Sequence, residues 1–312
     1  MYNGIVNVYK PSGMTSFDVI AKMRRIFGQK KIGHTGTLDP MAKGVLVTVL
    51  GSATCLADTI VSKEKEYEAE LTLGIKTDTD DITGERVDDV AMASENEKCF
   101  LADRDKAEES VRRTILSFVK KYDQIPPKYS AIKINGKKLY EYARAGVEIE
   151  IPAREVEIFS IDILSMDLPK VRFLVRCTKG TYIRSLCRDI GEELGLGGTM
   201  SDLIRRKVQN FTDENAFTLE KLEELKEIGQ LEDALLPTDS LVSCYERADI
   251  LPEFEKYLLN GNKLSKDMFE IKKNGTEKKE CDIIRLYDCS SKLHALYRYD
   301  AKDKVYRNYK TL

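Results

Sequence analysis

Histidine is scarce in this chain: His34 and His294 are the only two in 312 residues. The seven cysteines, Cys55, Cys99, Cys177, Cys187, Cys244, Cys281 and Cys289, are odd in number and form no C-x-x-C pair. Ligands so few and so scattered leave no zinc-binding spacing, and unpaired thiols suit a reducing cytosol. Net charge is nearly absent too, at −2. The chain is therefore no basic polyelectrolyte, and any contact with nucleic acid has to come from local patches. No apolar run is long enough to span a membrane, and MYNGIVNVYKPSG lacks a secretory-signal pattern. The G-x-G-x-x-G spacing is missing as well, so GLGG at 195–198 reads as a helix stop. TDTDDITG at 77–84 is acidic, but Ile82 stands where a calcium loop needs a ligand. These absences leave no zinc, calcium-loop or dinucleotide-binding motif, and the free thiols point to a cytoplasmic protein.

What is present reads as mixed α+β. In YEAELTL, Tyr67, Ala69, Leu71 and Leu73 share one face of a strand. In VRFLVRC, Val171, Phe173, Val175 and Cys177 do the same. VLVTVL at 45–50 suits a strand covered on both faces. SFDVIAKMRRIFG predicts a helix capped at Ser16 and stopped at Gly28. TYIRSLCRDIGEELG predicts another, with Ile183, Leu186, Cys187, Ile190 and Leu194 on its apolar face. The polar stretch at 92–110 lacks periodicity and predicts a loop or insertion. LLPTDSL at 235–241 reads as a junction. Beyond it, residues 250–312 carry 14 Lys/Arg against 10 Asp/Glu. A small basic module with strands such as DIIRLYD and LHALYRYD is expected there.

Three stretches bear chemistry. KKIGHTGTLDPMAKGVL at 30–46 sets one acid, Asp39, among Gly33, Gly36, Gly44 and Pro40, just ahead of the apolar strand. A turn aspartate before proline is common. Flanking glycines allow unusual backbone angles and close approach, and a buried strand alongside would hold the carboxylate rigidly. KGTYIRSL puts Arg184 in the first turn of a helix, where a cation opposes the helix dipole. It therefore asks for a partner, and Asp39 would serve and be kept ionised by it. QIPPKYSAIKINGKKLYEYARAG interleaves Lys128, Lys133, Lys137, Lys138 and Arg144 with Tyr129, Tyr140 and Tyr142. Lysines neutralise phosphates and tyrosines stack on unpaired bases. As a bland reading, INGK is simply the turn of an exposed hairpin.

In order along the chain, GIVNVYKPSGMTSFDV, KIGHTGTLDPMAKGVL, KEYEAELTLGIKTDTDD, IPPKYSAIKINGKKLYEYAR, RCTKGTYIRSLCRDIGEELG and MSDLIRR resemble the bacterial TruB-type transfer RNA pseudouridine synthases. The resemblance is close over residues 4 to 211. It implies an α+β pseudouridine synthase fold: a mixed, largely antiparallel sheet with flanking helices over 1–240, a thumb-like RNA-binding insertion at 124–152, and a mostly-β, PUA-like module at 245–312. It implies a cofactor-free isomerase of a T-loop uridine, usually uridine 55. Such an enzyme acts on the tRNA T-arm as a monomer, with no membrane or obligatory protein partner. A role in folding tRNA can coexist with the chemistry. Residue by residue it makes Asp39 catalytic, Tyr67 the tyrosine against the target base, and Arg184 the partner of Asp39. Tyr182 and Leu203 become pocket residues, His34 a holder of flipped-out nucleotides, and Lys10 with Pro11 a buttress. Lys137 and Lys138 become RNA contacts of the thumb. Ile204 departs from the pattern, standing where many relatives carry the first of two arginines.

Overall fold

The computed structural model describes residues 1–57, 64–87, 102–272 and 282–312, with Glu95, Lys98 and Phe100. Helix α1 (Ser16–Phe27) follows strand β1 (Gly4–Lys10) and precedes β2 (Ile32–His34), β3 (Lys43–Leu50) and β4 (Glu64–Leu73). Helix α2 (Arg104–Ser117) leads to β5 (Lys121–Gln124). A small hairpin, β6 (Lys133–Ile134) and β7 (Lys137–Lys138), and helix α3 (Leu139–Arg144) come next. Then follow β8 (Arg154–Asp167), β9 (Lys170–Thr178), α4 (Ile183–Glu193), β10 (Gly198–Val208), β11 (Phe211–Thr212) and α5 (Leu219–Glu227).

Nine of these strands form one sheet, ordered β1-β3-β10-β4-β9-β8-β5, with β2 on β3 and β11 on β10. Its pairs are antiparallel except β10 against β3, so the mixed, largely antiparallel sheet is present. The alternation read from the sequence decides its faces. Tyr67, Ala69 and Leu71 of β4 and Val171, Phe173, Val175 and Cys177 of β9 are all buried against α2 and α4. On another side, α1 and α5 cover Val6, Val8, Leu46 and Leu50. Leu38 and Ala42, which bracket Asp39, are anchored in the α2/α4 core. Each side chain the size of leucine buried in this way stabilises the fold by roughly 1.5–3 kcal/mol.

The second sheet, ordered β13-β12-β14-β15-β16, is made by β12 (Glu246–Ile250), β13 (Phe269–Lys272), β14 (Ile283–Tyr287), β15 (Leu293–Asp300) and β16 (Val305–Thr311). It has its own core of Ile250, Leu258, Phe269, Leu286 and Tyr297. Tyr287, Leu293 and Leu296 also pack on Val45, Val47 and Val49 of β3.

Several local expectations need correction. The cap of α1 is Thr15, not Ser16: Thr15 accepts from the Asp18 N–H and Asp18 accepts from the Thr15 N–H, a reciprocal capping box. Residues 104–110, read as part of a loop, begin α2 behind an Asp103 cap; its apolar positions, Ala107, Val111 and Ile115, are too sparse to show within a window ending at 110. Most of 92–101 lies outside the described residues. The stretch at 235–241 is more than a connector, since Leu236 and Ile5 exchange backbone hydrogen bonds at 2.8 and 2.9 Å.

Of the three glycines near Asp39, only Gly44 has a positive φ, 103°. A Cβ there would lie 2.3 Å from the Arg205 carbonyl oxygen. Gly44→Ala is expected to lower the unfolding free energy by about 3 kcal/mol. Gly33→Ala, whose Cβ would meet only the Val49 side chain at 3.7 Å, should stay within about 1 kcal/mol of the parent. Urea denaturation of the two variants checks this, and equal midpoints would contradict it.

Candidate active site

The loop from Gly36 to Met41 has every carbonyl engaged. Arg205 donates from Nη2 to Gly36 O at 3.0 Å and from Nη1 to Thr37 O at 3.2 Å. Ser16 Oγ donates to Leu38 O at 3.2 Å and accepts from Leu38 N at 2.9 Å. Ala42 N donates to Asp39 O, and Gly13 N to Pro40 O. Lys10 Nζ reaches Pro40 O at 3.1 Å, and Ser12 Oγ reaches Met41 O at 2.9 Å. Because Thr15 caps the helix, the Ser16 hydroxyl is free for this loop. Lys10 is fully buried, and burial pushes its pKa down to about 8. Its position is that of the expected buttress.

Within this clamp the Asp39 side chain meets Arg184 side-on. Nε lies 3.0 Å from Oδ2, and Nη2 lies 3.2 Å from Oδ1. Arg184 is sunk, with 5% of its side chain exposed, whereas Asp39 keeps 32%. The guanidinium also donates to Thr79 O and Tyr129 O, both at 3.0 Å, and lies 3.6 Å from Asp81. The charge at the start of α4 is thus answered by two carboxylates and two carbonyls. The acidic 77–84 stretch supplies this compensation, since Asp80 pairs with Arg188 at 2.9 Å while Asp81 faces Arg184.

The expected effect of Arg184 on Asp39 is outweighed. Although a third of its side-chain surface stays open, the carboxyl lies in a cleft, and burial raises its pKa above the usual value. Arg184 foremost, then Lys10 and Arg205, pull it back. Removing charge from water costs more here than the nearby cations return.

Tyr67 and Leu203 line the same apolar cluster as Leu38. The Tyr67 hydroxyl lies beside the Arg205 guanidinium, and burial pushes its pKa up to about 12. The phenol stays protonated at neutral pH, and the shift makes its hydroxyl a weaker acid than that of an exposed tyrosine. Tyr182 caps α4 through its backbone: its N–H donates to Gln124 Oε1 at 2.8 Å, and its carbonyl accepts from Gln124 Nε2 at 3.1 Å. His34 ends β2, half-buried, and burial lowers its pKa, with Arg205 adding to the effect. Its imidazole is neutral near pH 7.

The structure gathers Asp39, Arg184, Tyr67, Leu203 and Lys10 into one cluster, with Tyr182 on the helix that carries Arg184. Lys137 and Lys138 stand on the separate hairpin β6–β7. Asn135 and Gly136, at φ 50° and 83°, make its two-residue turn. The segment bearing this hairpin is inserted between β5 and β8, which pair directly at Gln124 and Arg154. Its root touches α4 through Gln124, Ile125 and Tyr129. Sequence reasoning gave no role to Arg205, Gln124 or Asp81, and read Ser16 only as a helix cap. A signal existed for Arg205, which alternates with Leu203 on one strand and so faces the same side.

Two family models match the chain. One, for the N-terminal domain of the TruB family pseudouridylate synthases, covers residues 24–183; the other, for the tRNA pseudouridylate synthase B C-terminal domain, covers residues 184–243. The five-stranded sheet lies beyond both. The tRNA pseudouridine synthase B of Lachnoclostridium phytofermentans is 47% identical over 98% of each chain. That of Clostridium tetani is 45% identical over 91% of this chain and 92% of its own. Among solved structures, one titled as an archaeal box H/ACA sRNP Nop10–Cbf5 complex superposes with a TM-score of 0.71 at 24% identity, over 99% of this chain and 86% of the other. At that identity the likeness speaks for the fold. Near-half identity along the whole length, over a sheet and loop arranged in this way, shows that the chain belongs to the TruB family and is a tRNA pseudouridine synthase, an isomerase.

Proposed function

We propose that this enzyme converts one T-loop uridine of transfer RNA, the uridine at tRNA position 55, to pseudouridine, with Asp39 as the reacting carboxylate. The observation that carries this is the side-on pair: a carboxylate open to the cleft, fixed from behind by a buried guanidinium. The reaction breaks the bond from ribose C1′ to uracil N1 and forms one from C1′ to C5. The C5 hydrogen leaves as a proton and N1 gains one, so atoms balance without a co-reactant. A fixed carboxylate serves as a nucleophile or as a counter-charge to a cationic sugar. Tyr67 and Leu203 form the pocket wall, and the Tyr67 hydroxyl is the proton-transfer group. The target base has to leave its stack to reach this cleft. The 124–152 insertion grips the T-arm. Residues 1–240 form the catalytic domain, and residues 245–312 form a PUA-like module whose excess of lysine and arginine adds backbone contacts. The enzyme works as a monomer.

Asp39→Asn preserves shape but removes the charge. Arg184 keeps Asp81, Thr79 O and Tyr129 O as partners, so the fold and RNA docking survive. RNA affinity within about threefold of the parent and no product under single-turnover conditions are expected. Substantial pseudouridine from this variant would overturn the assignment.

Tyr67→Phe keeps the ring and deletes the hydroxyl. A loss on the order of 10²-fold in single-turnover rate, with binding intact, is expected. Near-parental rates would reduce the residue to a packing role.

Replacing Lys137 and Lys138 together by alanine should weaken RNA binding and lower the slope of log affinity against log salt by roughly 0.7–0.9 for each phosphate no longer neutralised. Filter binding between 50 and 300 mM salt, about the range where such slopes are resolved, is the measurement. An unchanged slope leaves an exposed hairpin with no part in RNA binding.

A further inference from the structure

Among the described residues, most of the less exposed cations of the large sheet and α4 are neutralised. Arg184 and Arg188 face Asp39, Asp81, Asp80 and Asp189. Arg172 and Arg206 share Glu68 and reach Glu70 and Asp213. Lys43 meets Asp202, and Lys10 and Arg205 are taken up by main-chain carbonyls. Lys65 differs. It is half-buried, two residues before Tyr67 and on the same face of β4. Among the described residues its ammonium has neither a carboxylate nor a carbonyl partner. Its charged neighbours are Arg205 and Lys179, both positive, with the Cys177 thiol alongside. Burial, reinforced by Arg205, pushes its pKa down to about 8.

Gly36 explains why this charge stays open. A Cβ at Gly36 would lie 3.5 Å from Lys65 Nζ and 3.7 Å from Arg205 Nη1. Any side chain there would lay apolar atoms across both cations. Gly36 needs no unusual φ, so the missing side chain serves space and not backbone conformation. Lys65 thus has the Gly36 end of the Asp39 loop on one side and Lys179, in the turn that leads into α4, as a charged neighbour.

We infer that Lys65, with Lys179 beside it and Gly36 leaving the approach clear, forms a seat for one RNA phosphate flanking the flipped-out target nucleotide. This rests on the reading of the Asp39 cleft as the place where that nucleotide enters. A half-buried, unpaired ammonium costs stability in the free protein, and a phosphodiester supplies the missing anion at the moment of binding. The seat lies against the Gly36 end of the loop that carries Asp39, so what it contributes is affinity and docking of the strand.

The test uses a T-arm stem-loop RNA, Lys65→Met, Lys65→Arg, and RNAs with a single methylphosphonate 5′ or 3′ of the target uridine. Lys65→Met should raise KM on the order of tenfold, keep the saturated single-turnover rate within about threefold, and flatten the salt slope by roughly the value of one phosphate. Lys65→Arg should recover most of the affinity. With one of the two methylphosphonate RNAs the full-length parent should fall to the Lys65→Met level, and the variant should fall no further, the non-additivity expected of direct partners. Unchanged KM and salt slope, a loss confined to the saturated rate, or additive losses with both RNAs would overturn the phosphate seat. The methylphosphonate scan on the parent decides the matter even if Lys65→Met folds poorly, since parental kinetics on both modified RNAs would also overturn it. If instead the unmodified stem-loop failed to bind the parent at all, the reading of the cleft itself would fall.

Discussion

A carboxylate proposed to act on one nucleotide of a large folded substrate has to be held firmly and still left open to that substrate. The chain meets both demands by fixing the backbone in place of the side chain. Six successive carbonyls, from Gly36 to Met41, are engaged by Arg205, Ser16, Ala42, Gly13, Lys10 and Ser12. These donors come from β1, the turn after it, α1, β10 and the loop itself, so the first and last parts of the catalytic sheet converge on one loop. With its backbone immobile and Leu38 and Ala42 in the core, Asp39 retains few freedoms, and Arg184 removes most of those.

Charge compensation follows the same pattern. Arg205 is fully buried and satisfied by neutral carbonyls, and Arg184 by two carboxylates and two carbonyls. A buried guanidinium tolerates this because its five N–H groups point in fixed directions, so one group can serve several chain segments. Arg184 thereby ties the Asp39 loop, the acidic 77–84 stretch and the root of the thumb insertion to the start of α4. At Asp39 burial, with the Asp81 charge adding to it, raises the pKa against the pull of three cations. A substrate that displaces water from the cleft acts on a carboxyl already at odds with its solvation.

The near-neutral total charge also acquires a physical reading. Acidic residues are taken up by the structural arginines of the sheet and of α4, which leaves the chain without a basic surplus. Among the described residues, Lys65 and the β6–β7 hairpin lysines lack such carboxylate partners, and it is to these that the proposed phosphate contacts are assigned. Local imbalance, and not net charge, governs attraction to a polyanion once the two surfaces are within about 10 Å in salt.

Much of this was legible without coordinates. Alternation in YEAELTL and VRFLVRC fixes which faces of β4 and β9 are buried, because side chains on a strand repeat every two residues. The INGK turn follows from Asn and Gly tolerating positive φ. A first-turn arginine calls for a carboxylate, and Asp39 is that carboxylate. The ordered motifs name the family because several independent matches must coincide. Tertiary structure alone decided the rest. Ser16 looks like a cap until Thr15 takes that role and frees its hydroxyl. Asp80 and Asp81 look like a failed calcium loop until α4 brings two arginines against them. The pKa of Asp39 had the opposite direction to that argued from its partner alone, since burial is a property of everything packed around a group and is not encoded at any one position. The open charge of Lys65 is likewise invisible in sequence: whether a lysine has a counter-ion depends on residues brought together from the Asp39 loop, β9 and β10, far apart along the chain.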